Sequence, residues 1–204
     1  MPETFVLSCR ALRRNKRHMK KEDIRRKVRA EKSLLSEDDR RDAAAKVFTR
    51  LEHLAAFMLA DKILMYHSLP DELSTLEFLS KWSGRKKFFL PRVNGVNLEI
   101  LPYDRSFLKL GAFQIEEPQG NDLTSINEIE LVVVPAVVYD RNGNRVGRGK
   151  GYYDRLMTDC KAVKVGVGYD FQLVDDIEVA AHDVPVDIVI TETSTFVIRK
   201  PARK

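Results

Sequence analysis

The sequence predicts an α/β protein: a three-layer sandwich around a mainly parallel sheet, Rossmann-like in plan. Three observations carry this expectation. Short β-branched or aromatic runs recur at residues 62–67, 87–93, 131–134, 162–169 and 188–191. Segments with apolar residues at helical spacing separate most of them, and such alternation builds parallel sheets with helices on their faces. The run Leu131-Val132-Val133-Val134 is continuously apolar, as a strand buried on both faces requires. A chain of 204 residues, 44% hydrophobic and 32% charged, is long enough for one such domain.

Taken in order, residues 1–18 are basic and lack a clear period. They read as a poorly ordered extension, with Met19 as the functional start and residues 19–204 as a single α/β domain; a basic arm or a targeting segment is the alternative. Residues 1–41 hold 14 Lys/Arg against 7 Asp/Glu, a net +7, whereas the remainder holds 21 against 23, a net −2. The basic character therefore belongs to the N-terminal segment and does not describe a general nucleic-acid surface. A first helix from Lys21 shows an apolar stripe at Ile24, Val28 and Ala30. Ser36, followed by Glu37, Asp38 and Asp39, is an N-cap with acids in the first turn. The helix it opens carries Ala43, Ala44, Val47, Leu51 and Leu54 at helical spacing.

A strand is expected at 62–66, then a turn through Asp71 and Glu72, then a helix at 76–82 that Gly84 stops. Residues 87–93 and 98–102 form two strands joined by the hairpin signal Asn94-Gly95. Residues 103–120 read as a loop with a short helix, and 122–130 as a polar lead into a central strand spanning 131–139. The turn residues Asp140-Arg141-Asn142-Gly143-Asn144 follow. Next come a glycine-rich loop at 145–151 and a helix at 152–160. A strand at 162–169 and two edge strands at 188–191 and 195–198 complete the chain.

No apolar run approaches membrane-spanning length, and no apolar segment of secretory type follows the basic N-terminus. Cys9 and Cys160 are too few for a disulfide framework or a zinc site, which suits a reducing cytoplasm. The expectation is a cytoplasmic monomer acting on small molecules, without membrane or nucleic-acid partners.

The loop Arg145-Val146-Gly147-Arg148-Gly149-Lys150-Gly151 places three glycines and three cations in seven residues, between a strand and a helix start. Bare backbone N–H groups and cations together cradle phosphate chains. The Walker pattern fails because Gly151 follows Lys150, and the dinucleotide pattern fails because Tyr152 stands where its third glycine belongs. Alone, the string also suits an exposed basic hairpin, or a loop for a sugar phosphate or a coenzyme A thioester. Ligands of parallel sheets bind at the carboxyl ends of strands. That edge gathers His67, Asp71 and Glu72, the glycine loop, Asp170 and Gln172, with His182 and Asp183 nearby. Carboxylates beside a phosphate loop suit a magnesium nucleotide.

The stretch from Asp140 to Arg155, DRNGNRVGRGKGYYDR, closely resembles the signature of the 5-formyltetrahydrofolate cyclo-ligase family. Lys21-Glu22-Asp23-Ile24-Arg25 resembles that family's ATP-phosphate helix, and the segment from Tyr66 to Thr75 resembles its folate-binding turn. The segment containing His182, Asp183, Asp187 and Glu192 resembles its C-terminal element. The resemblance implies ATP-dependent closure of 5-formyltetrahydrofolate to 5,10-methenyltetrahydrofolate, with release of ADP and phosphate. It implies ATP binding by Lys21, Arg25, Arg145, Gly147, Arg148, Gly149, Lys150, Gly151, Tyr152 and Tyr153. Folate would be held by His67 and Glu72 with Arg148, Gly149, Lys150, Gly151 and Tyr152. Arg148, Lys150 and Tyr152 would act in catalysis, and Asp154 and Asp183 would hold Mg²⁺. His67 is a departure from the family pattern.

Overall fold

The structure, a computed structural model, describes residues 20–111 and 116–199. The proposed extension at 1–18 lies outside the described residues.

Helix α1 (Lys21–Ser33) buries Ile24 and Val28, as its stripe predicts. Ala30 is exposed, and the third buried position is Lys32, one further i+4 step along the same face. Helix α2 (Glu37–Glu52) opens on a complete capping box: Asp39 N–H donates to Ser36 Oγ, and Ser36 N–H donates to Asp39 Oδ2, both at 3.1 Å. It buries Ala43, Ala44, Val47, Phe48 and Leu51. Helices α3 (Ala55–Leu59) and α4 (Leu76–Trp82) complete the same layer.

Seven strands form the central sheet: β1 (Lys62–Leu64), β2 (Lys87–Asn94), β3 (Asn97–Pro102), β6 (Leu131–Pro135), β9 (Val163–Val167), β11 (Ile188–Ile190) and β12 (Thr195–Val197). Their order is β12-β11-β9-β6-β1-β2-β3; the five inner strands are parallel and the two edges antiparallel. Leu131, Val132, Val133 and Val134 are fully buried, because layers cover both faces of β6. One core unites α2, α3 and α4 with Ile63, Leu90, Val133 and Val165. The opposite core joins Leu64, Val132, Val134 and Val189 to Met157 of helix α5 (Tyr152–Met157). The three-layer, Rossmann-like architecture expected from the sequence is thus observed.

Three details differ from expectation. Residues 103–120 hold no α-helix among those described; a 3₁₀ turn (Arg105–Phe107) leads into the ladder of β4 (Leu108–Leu110) and β5 (Glu116–Pro118). The run 131–139 breaks after Pro135, which cannot donate to a ladder. The remainder, β7 (Val138–Asp140), joins β8 (Arg145–Val146) and β10 (Leu173–Val174) in a separate small sheet. Finally, α5 ends at Met157 rather than at 160. The predicted turn between β7 and β8 is built around Asp140, which is fully buried. Its Oδ1 accepts from the Asn142 and Asn144 N–H groups, both at 2.9 Å, and its Oδ2 from Ile177 N–H at 3.2 Å. No helix among the described residues is long and apolar enough to cross a membrane.

Candidate active site

The strand order reverses between β1 and β6, so a crevice opens where the chain leaves their carboxyl ends in opposite directions. The segment after β1 fills one side. Its shape is self-imposed: Tyr66 Oη donates to Leu73 O at 2.9 Å, Thr75 Oγ1 to Tyr66 O at 3.0 Å, and Glu72 N–H to Leu69 O at 2.9 Å. Leu73 and Thr75 are buried beneath it, which leaves Asp71 and Glu72 facing the crevice. Leu69 N–H donates to Glu72 Oε2 at 3.1 Å and fixes that carboxylate.

The chain beyond β6, through β7 and β8, supplies the other side. Its glycine loop is pinned at three points. Arg25 on α1 donates from Nε to Gly147 O at 2.9 Å. Arg155 donates from Nη2 to Lys150 O at 2.8 Å. Gly151, the N-cap of α5, has φ +65°, where a side chain is strained and a Cβ would lie 2.9 Å from Arg155 Nη1. The helix it opens is six residues long. The cradle therefore comes from the loop and its cations more than from a helix dipole.

Arg148 spans the crevice. Its Nη2 meets Asp71 Oδ1 at 2.5 Å, and its Nε and Nη2 meet Glu72 Oε1 at 3.2 and 3.1 Å. Burial opposes the guanidinium's charge, but the Glu72 and Asp71 carboxylates prevail and hold its pKa above the usual arginine value. For Asp71, burial works upward, and the Arg148 bond with the Lys32 and Arg148 charges overcomes it, so its pKa is lowered. Lys150 is exposed, and its Nζ has no hydrogen-bond or ion-pair partner among the described residues. The crevice thus presents one uncommitted ammonium beside a neutralised Arg148–carboxylate bridge.

A family model described as the 5-formyltetrahydrofolate cyclo-ligase family matches residues 17–192, which includes every segment of this crevice. The chain belongs to that family. A 5-formyltetrahydrofolate cyclo-ligase from Escherichia coli is 26% identical over 179 residues, covering 83% of this chain and 98% of that protein. One from Haemophilus influenzae is 29% identical over 182 residues, covering 84% and 97%. The solved 5,10-methenyltetrahydrofolate synthetase of Aquifex aeolicus superposes with a TM-score of 0.83 at 33% identity, covering 91% of this chain and 96% of its own.

In this cyclo-ligase chain the remaining predicted site residues take up different positions. Lys21 and Arg25 lie on α1 at the loop; Lys21 Nζ donates to Asp183 Oδ2 at 2.7 Å. Asp183 also accepts from Ala180 N–H at 2.8 Å; burial would raise its pKa, but this bond and Lys21 lower it. Arg145 differs from a loop-surface cation: only 3% of its side chain is exposed, and it pairs with Asp154 at 2.6 Å. Asp154 Oδ1 also accepts from Val184 N–H at 3.2 Å, which brings Asp154 and Asp183 to one stretch of the crevice. Gly149 faces Arg25, whose Nη2 lies 3.7 Å from the position of an added Cβ.

The two tyrosines have separate fates. Tyr153, on α5, packs against the core, where burial pushes its phenol pKa far upward. Tyr152 stays half-buried, with its Oη donating to Gly95 O at 3.3 Å and the Arg155 guanidinium 5.5 Å from its ring centroid. His67 follows β1 with 11% of its side chain exposed; its Nε2 lies 3.3 Å from Glu116 without forming a hydrogen bond. Burial lowers the imidazole pKa, and Glu116 opposes this only in part. Asp71 stands at this edge as expected. Lys32 and Arg155 also belong to the site, although sequence reasoning did not place them there. For Lys32 a signal existed, since it follows Ile24 and Val28 at i+4 spacing.

Proposed function

We propose that this protein is a 5-formyltetrahydrofolate cyclo-ligase, which uses ATP to close 5-formyltetrahydrofolate into 5,10-methenyltetrahydrofolate and releases ADP and phosphate. The observation that carries the reading is Arg148, which ties the glycine loop to the Asp71-Glu72 turn and so joins a phosphate cradle to a carboxylate that can hold a pterin. An amide oxygen is a poor leaving group. Transfer of the γ-phosphoryl group to the formyl oxygen makes it a good one; N10 then attacks the activated carbon and expels phosphate.

This chain's part is positioning and charge neutralisation, the terms that dominate phosphoryl transfer. Lys150 supplies its free ammonium to the transferring group, and Lys21 and Arg25 hold the nucleotide phosphates from α1. Arg148 keeps its Asp71 contact and exchanges its Glu72 contacts for substrate oxygens, which frees Glu72 to accept hydrogen bonds from the pterin. Tyr152 closes the reacting end with its ring and hydroxyl, while Tyr153 braces the helix start from the core. Arg145 holds Asp154 in place.

The donor chemistry suits Mg²⁺. Among the described residues no group of three or more His, Cys, Asp or Glu side chains could cage a cation. Mg²⁺ on a nucleotide requires only one or two carboxylates beside phosphate oxygens and waters. Asp154 and Asp183 would be those carboxylates, and the ion would neutralise phosphate charge. The reading extends to a monomer in the cytoplasm, and the scarcity of cysteine, two in 204 residues, supports that compartment.

The deciding experiment follows the near-ultraviolet absorbance of the methenyl product with 5-formyltetrahydrofolate, with and without ATP. Product with ADP release only when ATP is present supports the reading. Absence of product under both conditions removes it.

A further inference from the structure

We infer that Lys32 is a positioning residue for the reaction, acting through Asp71 on Arg148 and thereby on Glu72. The role presupposes that the crevice takes folate and ATP as proposed above. Lys32 ends the buried stripe of α1, with 6% of its side chain exposed. Lysines are rarely buried unless paired, because the ammonium loses its hydration. An apolar residue would continue the stripe of Ile24 and Val28 with no desolvation penalty, so helix packing alone gives no reason for a lysine here.

The surroundings supply the reason. Lys32 Nζ lies 3.6 Å from Asp71 Oδ2 and 6.0 Å from the centroid of the Tyr169 ring. The other oxygen of Asp71 is the one that Arg148 grips. A continuous chain therefore runs from Lys32 to Asp71, from Asp71 to Arg148, from Arg148 to Glu72 and from Glu72 to Leu69 N–H. Its buried end is fixed, because Arg40 braces the same junction: it donates to Lys32 O and, at 3.2 Å, to Pro70 O. Burial lowers the Lys32 pKa while the Asp71 and Glu72 charges resist, and Arg148 adds repulsion. Lys32 thus holds Asp71 from below and turns its other oxygen toward the crevice, where Arg148 must point to serve both the loop and the turn.

Lys32→Met keeps the length and apolar stem and removes the charge, and Asp71→Asn cuts the same chain one link later. Each single variant is expected to lower kcat/KM for 5-formyltetrahydrofolate about tenfold, with the far-ultraviolet circular dichroism of the wild type. The double variant is expected to lose no more than either single variant, because both act through one contact. An additive loss near a hundredfold would overturn the proposal, as would unchanged kinetics with only a lower melting temperature. A second measurement needs no turnover: the Nε–H resonance of Arg148, assigned by its disappearance in Arg148→Lys, should move in Lys32→Met. An unmoved resonance would overturn the proposal even if the wild type formed no methenyl product, an outcome that would separately remove the functional reading.

Discussion

Asp154 carries two duties that substitution separates. As a first-turn acid it would contribute about 0.3–1 kcal/mol. Yet it also pairs with Arg145, whose side chain is 3% exposed and whose Nε has no hydrogen-bond partner among the described residues. Removing one member of a buried pair costs about 3–5 kcal/mol. Asp154→Asn should therefore lower the melting temperature by roughly 6–20 °C. Asp183→Asn breaks a more open pair with Lys21, worth about 1 kcal/mol or less. Equal shifts in calorimetry would refute the contrast. Lys150 is the opposite case. Because its Nζ has no partner among the described residues, Lys150→Ala should leave the melting temperature unchanged. Loss of one charge-assisted contact of about 1.5–3 kcal/mol should cut turnover roughly tenfold to a hundredfold. Near-normal turnover would move the phosphate site away from this loop. His67 predicts a pH effect. Burial holds its folded pKa below the ordinary 6.5, so the neutral ring is favoured by folding. That stability is present above about pH 6.5 and is lost as pH falls through the folded value, because the unfolded chain then binds the proton more readily. Melting temperature should thus fall between about pH 7.5 and about pH 5.5 by more in the wild type than in His67→Leu. Identical falls would assign the effect to other groups.

Between elements, a close approach occurs at Gly166 in β9. A Cβ there would stand 2.3 Å from the Tyr139 ring, which β7 presses onto the central sheet. Tyr139 is fully buried and cannot swing away. Overpacking of this kind costs about 1–3 kcal/mol. Gly166→Ala should lower the denaturation midpoint by that amount, while Gly84→Ala, with nothing within 4 Å of the added carbon, should be near neutral. A neutral Gly166→Ala would mean that β7 is loosely seated. The same pair of strands explains where sequence reasoning fell short. Local signals were enough for α2, because Ser36 and Asp39 cap it within four residues. They were enough for the β2–β3 hairpin, where Asn94 and Asn97 pair around the turn. They did not reveal that the chain changes sheets after Pro135, since a β-branched run reads alike in either sheet. Nor did they reveal β4 and β5, short strands that exist only through each other.

At the scale of the whole molecule, the crevice was legible because strand topology is: parallel strands alternating with helices place loops at one edge. The side chains that would meet there were legible as chemistry, and not as direction. Arg145, Arg148 and Lys150 look equivalent in the sequence, but one is buried with Asp154, one bridges to Glu72 and one is exposed without a partner among the described residues. Charge type states what a group can bind, while its neighbours in space decide whether it is available. The seam between α5 and the hairpin tip carries a consequence of another sort. Tyr152 and Arg155 grasp the tip by the carbonyl oxygens of Gly95 and Val96. A carbonyl is the same atom whatever side chain stands beside it, and the Val96 side chain is 68% exposed. A saturation library at Val96 should therefore look silent while one at Arg155 looks intolerant, although both residues belong to one clasp. Half of this joint is written in main chain, where substitution scanning is blind, and the tip is accordingly where a designer can place a label or a new epitope without loosening the wall of the crevice.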